Sequence, residues 1–198
     1  MAELQFNEEK HIYTNADGIH VPSVTRILSA VGMYQGLNNI PAHILETAAE
    51  RGKAVHSMIE FHCQGDLDEN SIDPDLMGYY EAYLNCRKDH PDIFAKLTFF
   101  EKMIYSEKYN YCGRCDAGGD RIRIDFKTTA QESAVTGLQL SAYWMADNPA
   151  YLNDKPDLLL GLYLHPDATY NLVEYRYEPL QWISCLTVYN WQKKNGVI

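Results

Sequence analysis

Tyr111-Cys112-Gly113-Arg114-Cys115-Asp116-Ala117-Gly118-Gly119-Asp120-Arg121-Ile122-Arg123-Ile124-Asp125-Phe126-Lys127 is the stretch where the chain changes period. Ile122, Ile124 and Phe126 alternate with Arg123, Asp125 and Lys127, which predicts a strand with one buried and one polar face. Residues 111–117 predict a second strand, joined to the first through Gly118, Gly119 and Asp120. Asp125 and Lys127 are two apart, so they share a face. A carboxylate beside an ammonium can serve a hydrolytic metal site. The carboxylate suits a hard cation such as Mg²⁺ or Mn²⁺. The lysine can orient or deprotonate a water and neutralise a phosphate. The same triplet is also what a surface salt bridge on a hairpin looks like.

Asp116 offers a second carboxylate, on one condition. A hairpin turning around Asp120 and Arg121 sets Asp116 opposite Asp125. A tight turn at Gly118-Gly119 sets it opposite Arg121 instead, about four residues or ~13 Å away along the strand. Only the later turn lets the two carboxylates share an ion.

Outward from this hairpin, the preceding part of the chain reads as helical. Residues 5–21 predict a β-hairpin turning at Asn15-Ala16-Asp17-Gly18, and a short helix follows with Ser23 as its cap. Residues 41–63 predict a long helix, with Pro41 at its first position and Leu45, Ala48, Gly52, Val55 and Ile59 as its apolar stripe. Gly65 ends it. A second helix starts at Asp73-Pro74, with Leu76, Tyr80, Tyr83 and Leu84 facing inward. Residues 96–106 predict a strand. Beyond the hairpin, residues 132–146 return to helical period through Val135, Leu138, Ala142 and Met145. Residues 157–164 are a continuous apolar run, a strand covered on both faces. Residues 170–177 alternate as a further strand, and 179–194 form a last helix with Gly196 beyond it. The order predicts one α/β domain with a mixed sheet over residues 1–198.

The 198-residue chain is 46% hydrophobic and carries a formal net charge of −10. That balance argues against a strongly electrostatic, sequence-independent nucleic-acid binder. It is compatible with an acidic metal site. Lys96, Lys102, Lys108, Arg114, Arg121, Arg123 and Lys127 collect in the middle third, around the proposed site. No run reaches the ~18 apolar residues of a membrane helix, and the start lacks a secretory pattern, so a cytoplasmic protein with no membrane partner is expected. Five cysteines, an odd number, fit free thiols in a reducing compartment. Cys112 and Cys115 have the spacing of half a zinc site, but strand alternation places them on opposite faces and no second pair exists.

Further groups stand in order around the hairpin: His56 on the long helix, Glu101 on the preceding strand, and Gln139 and Tyr143 four apart on one face of the following helix. This arrangement resembles the PD-(D/E)XK nuclease superfamily in its RecB-like exonuclease branch, which holds CRISPR-associated, mitochondrial genome maintenance and phage-type members. His56 is similar to that branch's helix histidine and Glu101 to the acid of its first core strand. Asp116, in Gly113-Arg114-Cys115-Asp116, is similar to the first metal-binding aspartate. Asp125 and Lys127 match the acid-x-lysine signature, and Gln139 and Tyr143 the Gln-x-x-x-Tyr motif. The stretch His11-Ile12-Tyr13, with residues 21–28, is similar to the opening of phage-type members.

The resemblance implies a restriction-endonuclease-like mixed central β-sheet flanked by α-helices, with a catalytic core over residues 95–146. It implies one or two Mg²⁺ (or Mn²⁺) ions held by Asp116, Asp125 and the carbonyl of Phe126, with His56 on a second ion. Asp116, Asp125, Lys127, Gln139, Tyr143 and Glu101 would then be catalytic, and Arg114, Arg121, Arg123 and Tyr143 would hold DNA. The implied activity is a DNA exonuclease of phage or prophage recombination or repair, acting in the host cytoplasm, with a homo-oligomer or a recombination protein as further partner. An endonuclease on single-stranded or branched DNA, a non-cleaving nucleic-acid-binding module, and a structural protein whose aspartates pair with arginines remain the competing readings.

Overall fold

The computed structural model describes residues 4–7, 12–34, 40–148 and 150–198. His11 lies outside them. The predicted N-terminal hairpin is a three-stranded antiparallel sheet: β1 (Gln5–Asn7), β2 (Ile12–Thr14) and β3 (His20–Val21), with β2 central. Asn15 Oδ1 accepts from the amides of Asp17 and Ile19 at 3.1 and 2.9 Å, and Gly18 takes φ +75°, which closes the turn where the sequence places it. Helix α1 (Val24–Ala30) starts at Ser23, whose hydroxyl accepts from Arg26 N at 3.2 Å.

Helix α2 (Ala42–Gln64) has Pro41 just outside it and ends at Gly65, which takes the left-handed φ of +79°. Its apolar stripe is buried at Val55, Met58 and Ile59, while its first three turns stay half-buried or exposed. Helix α3 (Pro74–Asp89) is capped by Asp73, which accepts from Asp75 N at 2.9 Å. Its inner face is aromatic: Tyr79, Tyr80 and Tyr83 are buried, whereas Leu76 and Leu84 are only half-buried. A short helix α4 (Pro91–Phe94) takes the chain into the main sheet.

That sheet runs β4 (Phe99–Ser106), β5 (Tyr111–Gly118), β6 (Ile122–Lys127), β7 (Leu158–Leu164), β8 (Tyr170–Glu174) in spatial order. All neighbours are antiparallel except β6 and β7, which are parallel and joined through helix α5 (Ala134–Asp147). A parallel pair needs such a crossover, because a hairpin cannot reverse the chain twice. Helix α6 (Pro179–Lys194) closes the chain. The mixed sheet flanked by helices is the architecture expected from the sequence. Residues 175–177 leave the sheet earlier than predicted: Tyr175 turns its hydroxyl to Tyr163 at 2.7 Å.

The core has two halves, one on each face of the sheet. Ile122, Ile124 and Phe126 of β6 pack with Leu160 and Leu162 against Val55, Ile59 and Tyr83 of α2 and α3. On the other face, Ile104 and Tyr111 pack with Ala142, Trp182 and Leu186 of α5 and α6, and with Ile27 of α1. The polar face of β6 is covered by α5, and Arg123 and Asp125 on it are buried at 4% and 1% exposure. Buried charges need partners, and those partners define the site. Among the described residues no helix is long and apolar enough to cross a membrane.

Candidate metal centre and active site

The β5–β6 hairpin turns over Gly119 to Ile122, with Gly119 N donating to the Ile122 carbonyl at 3.0 Å. Ala117 pairs with Ile124 and Gly118 with Arg123. This register places Asp116 opposite Asp125, so the condition set by the sequence is met. Beyond Ala117 the ladder opens. The amide of Phe126 donates to Asp116 Oδ2 at 2.7 Å, where a strand carbonyl would otherwise accept. A side chain thus replaces the backbone as partner and holds the Asp116 carboxylate in the gap between the strands.

On the other side of β5, the pairing of β4 and β5 skips one position. Phe100 pairs with Ala117 and Lys102 with Cys115, and Glu101 between them, facing Asp116, has φ +48°. That left-handed backbone costs about 1–3 kcal/mol for a non-glycine residue and clusters at functional sites. His56 of α2 meets both acids: its Nδ1 lies 3.4 Å from Glu101 Oε1 and 3.6 Å from Asp116 Oδ1. Its Nε2 donates to the Phe126 carbonyl at 3.0 Å. With Nε2 held to that carbonyl, Nδ1 faces the carboxylates, where it carries a proton when His56 is charged and would offer its lone pair to a cation.

His56, Glu101 and Asp116 offer donor atoms within 4.8 Å of one another and could hold a metal ion. The electrostatics fit that reading. Burial alone would lower the pKa of His56, but Asp116, Glu101 and Asp125 outweigh it and push it up to about 9. Burial raises the carboxyl of Asp116 to about 7, with Asp125 and Glu101 adding to the rise and His56 and Lys127 opposing it. Protons therefore stand where a cation would remove the repulsion between the acids. Two expected roles change. Glu101 belongs to the donor group, and the Phe126 carbonyl orients His56.

Asp125 leads into a chain of polar contacts rather than into that group. One carboxylate oxygen pairs with the Lys127 ammonium. The other accepts from Gln139 Nε2 at 2.8 Å, and the same nitrogen donates to the Tyr143 hydroxyl at 2.8 Å. Gln139 Oε1 accepts from Lys127 Nζ at 3.5 Å. Burial would lower the pKa of Lys127, but Asp125 and Asp116 raise it further, which keeps the side chain an ammonium. It can stabilise negative charge and orient a water, but it is poorly suited to deprotonate one. Burial raises the phenol of Tyr143 well above its usual range, so its hydroxyl keeps a hydrogen to donate. The ring packs on Gly113, where a Cβ would lie 2.7 Å from Tyr143 Cε1. Glycine at 113 is what lets the tyrosine reach the site.

A cleft of about 630 Å³ opens over His56, Glu101, Asp116, Gln139 and Tyr143. Of the three expected DNA-binding arginines, only Arg114 lines it; its Nη1 lies 3.9 Å from Glu101 Oε2. Arg121 is held at the hairpin turn by Asp154 and Asp157 at 2.7 and 2.8 Å. Arg123 is buried, donating to the carbonyls of Gly119 and Ile122 and to Asp147 at 2.9 Å. Neither lines the cleft. Lys102 also pairs with Asp147, at 3.2 Å. The middle-third cations seen in the sequence thus do not form one patch, because the acids that neutralise them come from distant segments. Cys112 packs under β3 and Cys115 under α5, both as free buried thiols.

Sequence reading did not find Phe6, Tyr13 or Lys53 in the cleft. It also missed Tyr34: burial raises the pKa of its hydroxyl most, while Lys127 lowers it and Asp125 raises it, so it lies in their field. No spacing rule links these residues to the hairpin, and only the fold brings them there.

No family model matches the chain, and no curated protein does. Among solved structures, the crystal structure of "Putative exonuclease" from Eubacterium rectale matches at a TM-score of 0.39 and 10% sequence identity. The match covers 70% of this chain and 73% of that one.

Proposed function

We propose that the chain is a metal-dependent deoxyribonuclease of the PD-(D/E)XK type, in its RecB-like branch, which hydrolyses phosphodiester bonds at DNA ends. The whole chain would act as one nuclease domain, with residues 95–146 as its catalytic core. One observation carries the reading: His56, Glu101 and Asp116 meet as a donor group in the same cleft into which Asp125, Lys127, Gln139 and Tyr143 are linked. A structural ion-pair network would neutralise these acids, whereas here three carboxylates converge, with burial favouring a proton on Asp116 and the acids favouring one on His56.

His56, Glu101 and Asp116 would hold the cation, with Asp125 beside them. An imidazole with two carboxylates suits Mn²⁺ better than Mg²⁺, which prefers oxygen donors. The ion would supply Lewis acidity, lowering the pKa of water and stabilising charge on the phosphate. Lys127 orients the attacking water and offsets charge that builds on the phosphoryl oxygens. Gln139 fixes Asp125 and Lys127 relative to each other. Tyr143 and Arg114 donate to the phosphate backbone at the cleft wall.

The test is incubation of end-labelled linear and covalently closed circular DNA with the protein in Mn²⁺, in Mg²⁺ and in chelator. Wild type should shorten linear DNA from its ends in the presence of metal and leave circles intact, and Asp125→Ala should leave both substrates intact. Cutting of circles would replace the exonuclease by an endonuclease. Equal inertness of wild type and Asp125→Ala on every substrate would sink the enzyme reading.

A further inference from the structure

A second cavity, of about 390 Å³, lies outside the cleft, between β3, α1 and α6. His20, Arg26 and Lys193 line it, and no acidic side chain does. Arg26 and Lys193 are exposed and form no ion pair among the described residues, and the carboxylate of Ile198, at the pocket's edge, pairs with neither. Around the hairpin, by contrast, Lys102, Arg121 and Arg123 are each held by an acid. Burial, Arg26 and Lys193 all lower the pKa of His20, so the positive field in this pocket lacks a counter-charge. Tyr189 is 4% exposed and lines the same pocket. Its hydroxyl makes no hydrogen bond with the described residues and is not sealed from solvent, so it is left to bond whatever enters.

We propose that His20, Arg26, Lys193 and the Tyr189 hydroxyl form a second, anion-binding site, which takes a backbone phosphate of the DNA beyond the cleft. The proposal rests on the nuclease reading for the identity of the anion. Position supports it. Helix α1 and its cap border both cavities: Ser23, Val24 and Thr25 line the cleft, and Arg26, Ser29 and Ala30 line the pocket. The helix has seven residues, about 10 Å of length, so DNA held at the metal donors reaches the pocket within a few nucleotides. Donor chemistry supports it too. A guanidinium, an ammonium and a phenol offer hydrogens from several directions, and a phosphate accepts through several oxygens. Charge supplies the reason for a remote site. The chain carries a net charge of −10, and its acidic cleft repels a phosphate backbone. Cations set among His56, Glu101 and Asp116 would compete with the metal. Cations on the far side of α1 hold the backbone without doing so.

Binding is measured by fluorescence anisotropy in EDTA, so that no strand is cut, with a labelled linear duplex over a series of salt concentrations. Each neutralised phosphate contributes about 0.9 to the fall of log affinity with log salt. The double variant Arg26→Gln with Lys193→Gln should therefore make that slope shallower by about two. Both side chains are exposed and unpaired, so the fold is kept. Lys88→Gln removes the same charge at the end of α3, on the opposite face of the sheet, and should keep the wild-type slope. Tyr189→Phe should weaken binding about fivefold with the slope unchanged. A double variant with the wild-type slope overturns the site, and so does a Lys88→Gln protein that loses as much per charge. Inorganic phosphate tests the other source of the same chemistry. If it raises the melting temperature of wild type but not of the double variant, while the DNA slope stays the same in both, the pocket holds a small free anion and the backbone proposal falls. Hydrolysis of methyl p-nitrophenyl phosphate by wild type in Mn²⁺, a phosphodiester too small to span the two cavities, reports on the nuclease alone. Its failure beside a slope that depends on Arg26 and Lys193 removes the nuclease and keeps the anion site. Its success beside an unchanged slope does the reverse.

Discussion

The two ends of the β5–β6 hairpin carry comparable charge and treat it in opposite ways. At the turn, Arg121 and Arg123 each have an acid within hydrogen-bonding distance, and Arg123 lies against the rings of Phe99 and Trp144, 5.3 and 5.0 Å from their centroids. At the open end, Asp116 and Asp125 face each other with Glu101 alongside, and the balance is struck by His56, Lys127 and retained protons. The turn is arranged for stability. The open end accepts a left-handed glutamate and crowded carboxylates, an arrangement that makes sense when a cation completes it. The same two strands therefore separate structure from chemistry within a few residues.

The strongest way to break this contrast is to remove one charged side chain from each end. Asp116→Asn should lower nuclease activity on the order of 10³-fold, with a melting temperature in chelator at or above that of wild type, because crowding among the acids is relieved while an amide oxygen can still accept from Phe126 N. A large loss of stability instead would mean that Asp116 is a structural ion-pair partner. The mirror experiment is Arg123→Met, which leaves Asp147 to the more exposed Lys102 and takes the guanidinium donor from the Gly119 carbonyl. It should cost about 3 kcal/mol of stability by denaturant titration while the rate per folded molecule stays within twofold of wild type.

The pH dependence of the metal-free protein sharpens the comparison further. The folded pKa of His56 is about 9 against an ordinary 6.5, so its stabilising contribution is full below 6.5 and lost as pH rises through 9. Asp116, raised to about 7, acts in the same direction, since ionising it in the folded state is disfavoured. The melting temperature in chelator should fall between pH 6.5 and 9. Mn²⁺ should remove the slope by taking the place of the protons, and His56→Gln should flatten it. A flat profile for the metal-free wild type would contradict the crowded-carboxylate picture. The smallest effect belongs to Arg121→Ala, whose partners are solvent-exposed: a melting temperature close to that of wild type, with no change in DNA binding. A clear loss of DNA affinity would return Arg121 to the phosphate-contacting role that the sequence suggested.

Legibility followed range. Asp125 and Lys127 on one face, and Gln139 and Tyr143 on one helix face, could be read because a strand and a helix repeat over two and four residues. The mixed sheet could be read from the same periods. The middle-third cations could not be sorted, because Asp147, Asp154 and Asp157, which occupy Arg121 and Arg123, lie some 24 to 36 residues further along. The burial of the polar face of β6 could not be read for a related reason: alternation separates two faces but does not tell what covers each.

The sequence by itself determined the acid-x-lysine strand and the order of the elements, both consequences of local backbone geometry, while His56 and Asp116 are named as metal residues through the resemblance and Glu101 is not. The sequence also framed the hairpin problem as a choice between two turns. The tertiary structure decided that choice, because the register of β5 on β6 depends on packing against α2 and α5. It also turned Glu101 through a left-handed backbone toward Asp116, and brought His56 to the Phe126 carbonyl across 70 residues of chain. Contacts of that range depend on which surfaces bury together, and no local spacing encodes them.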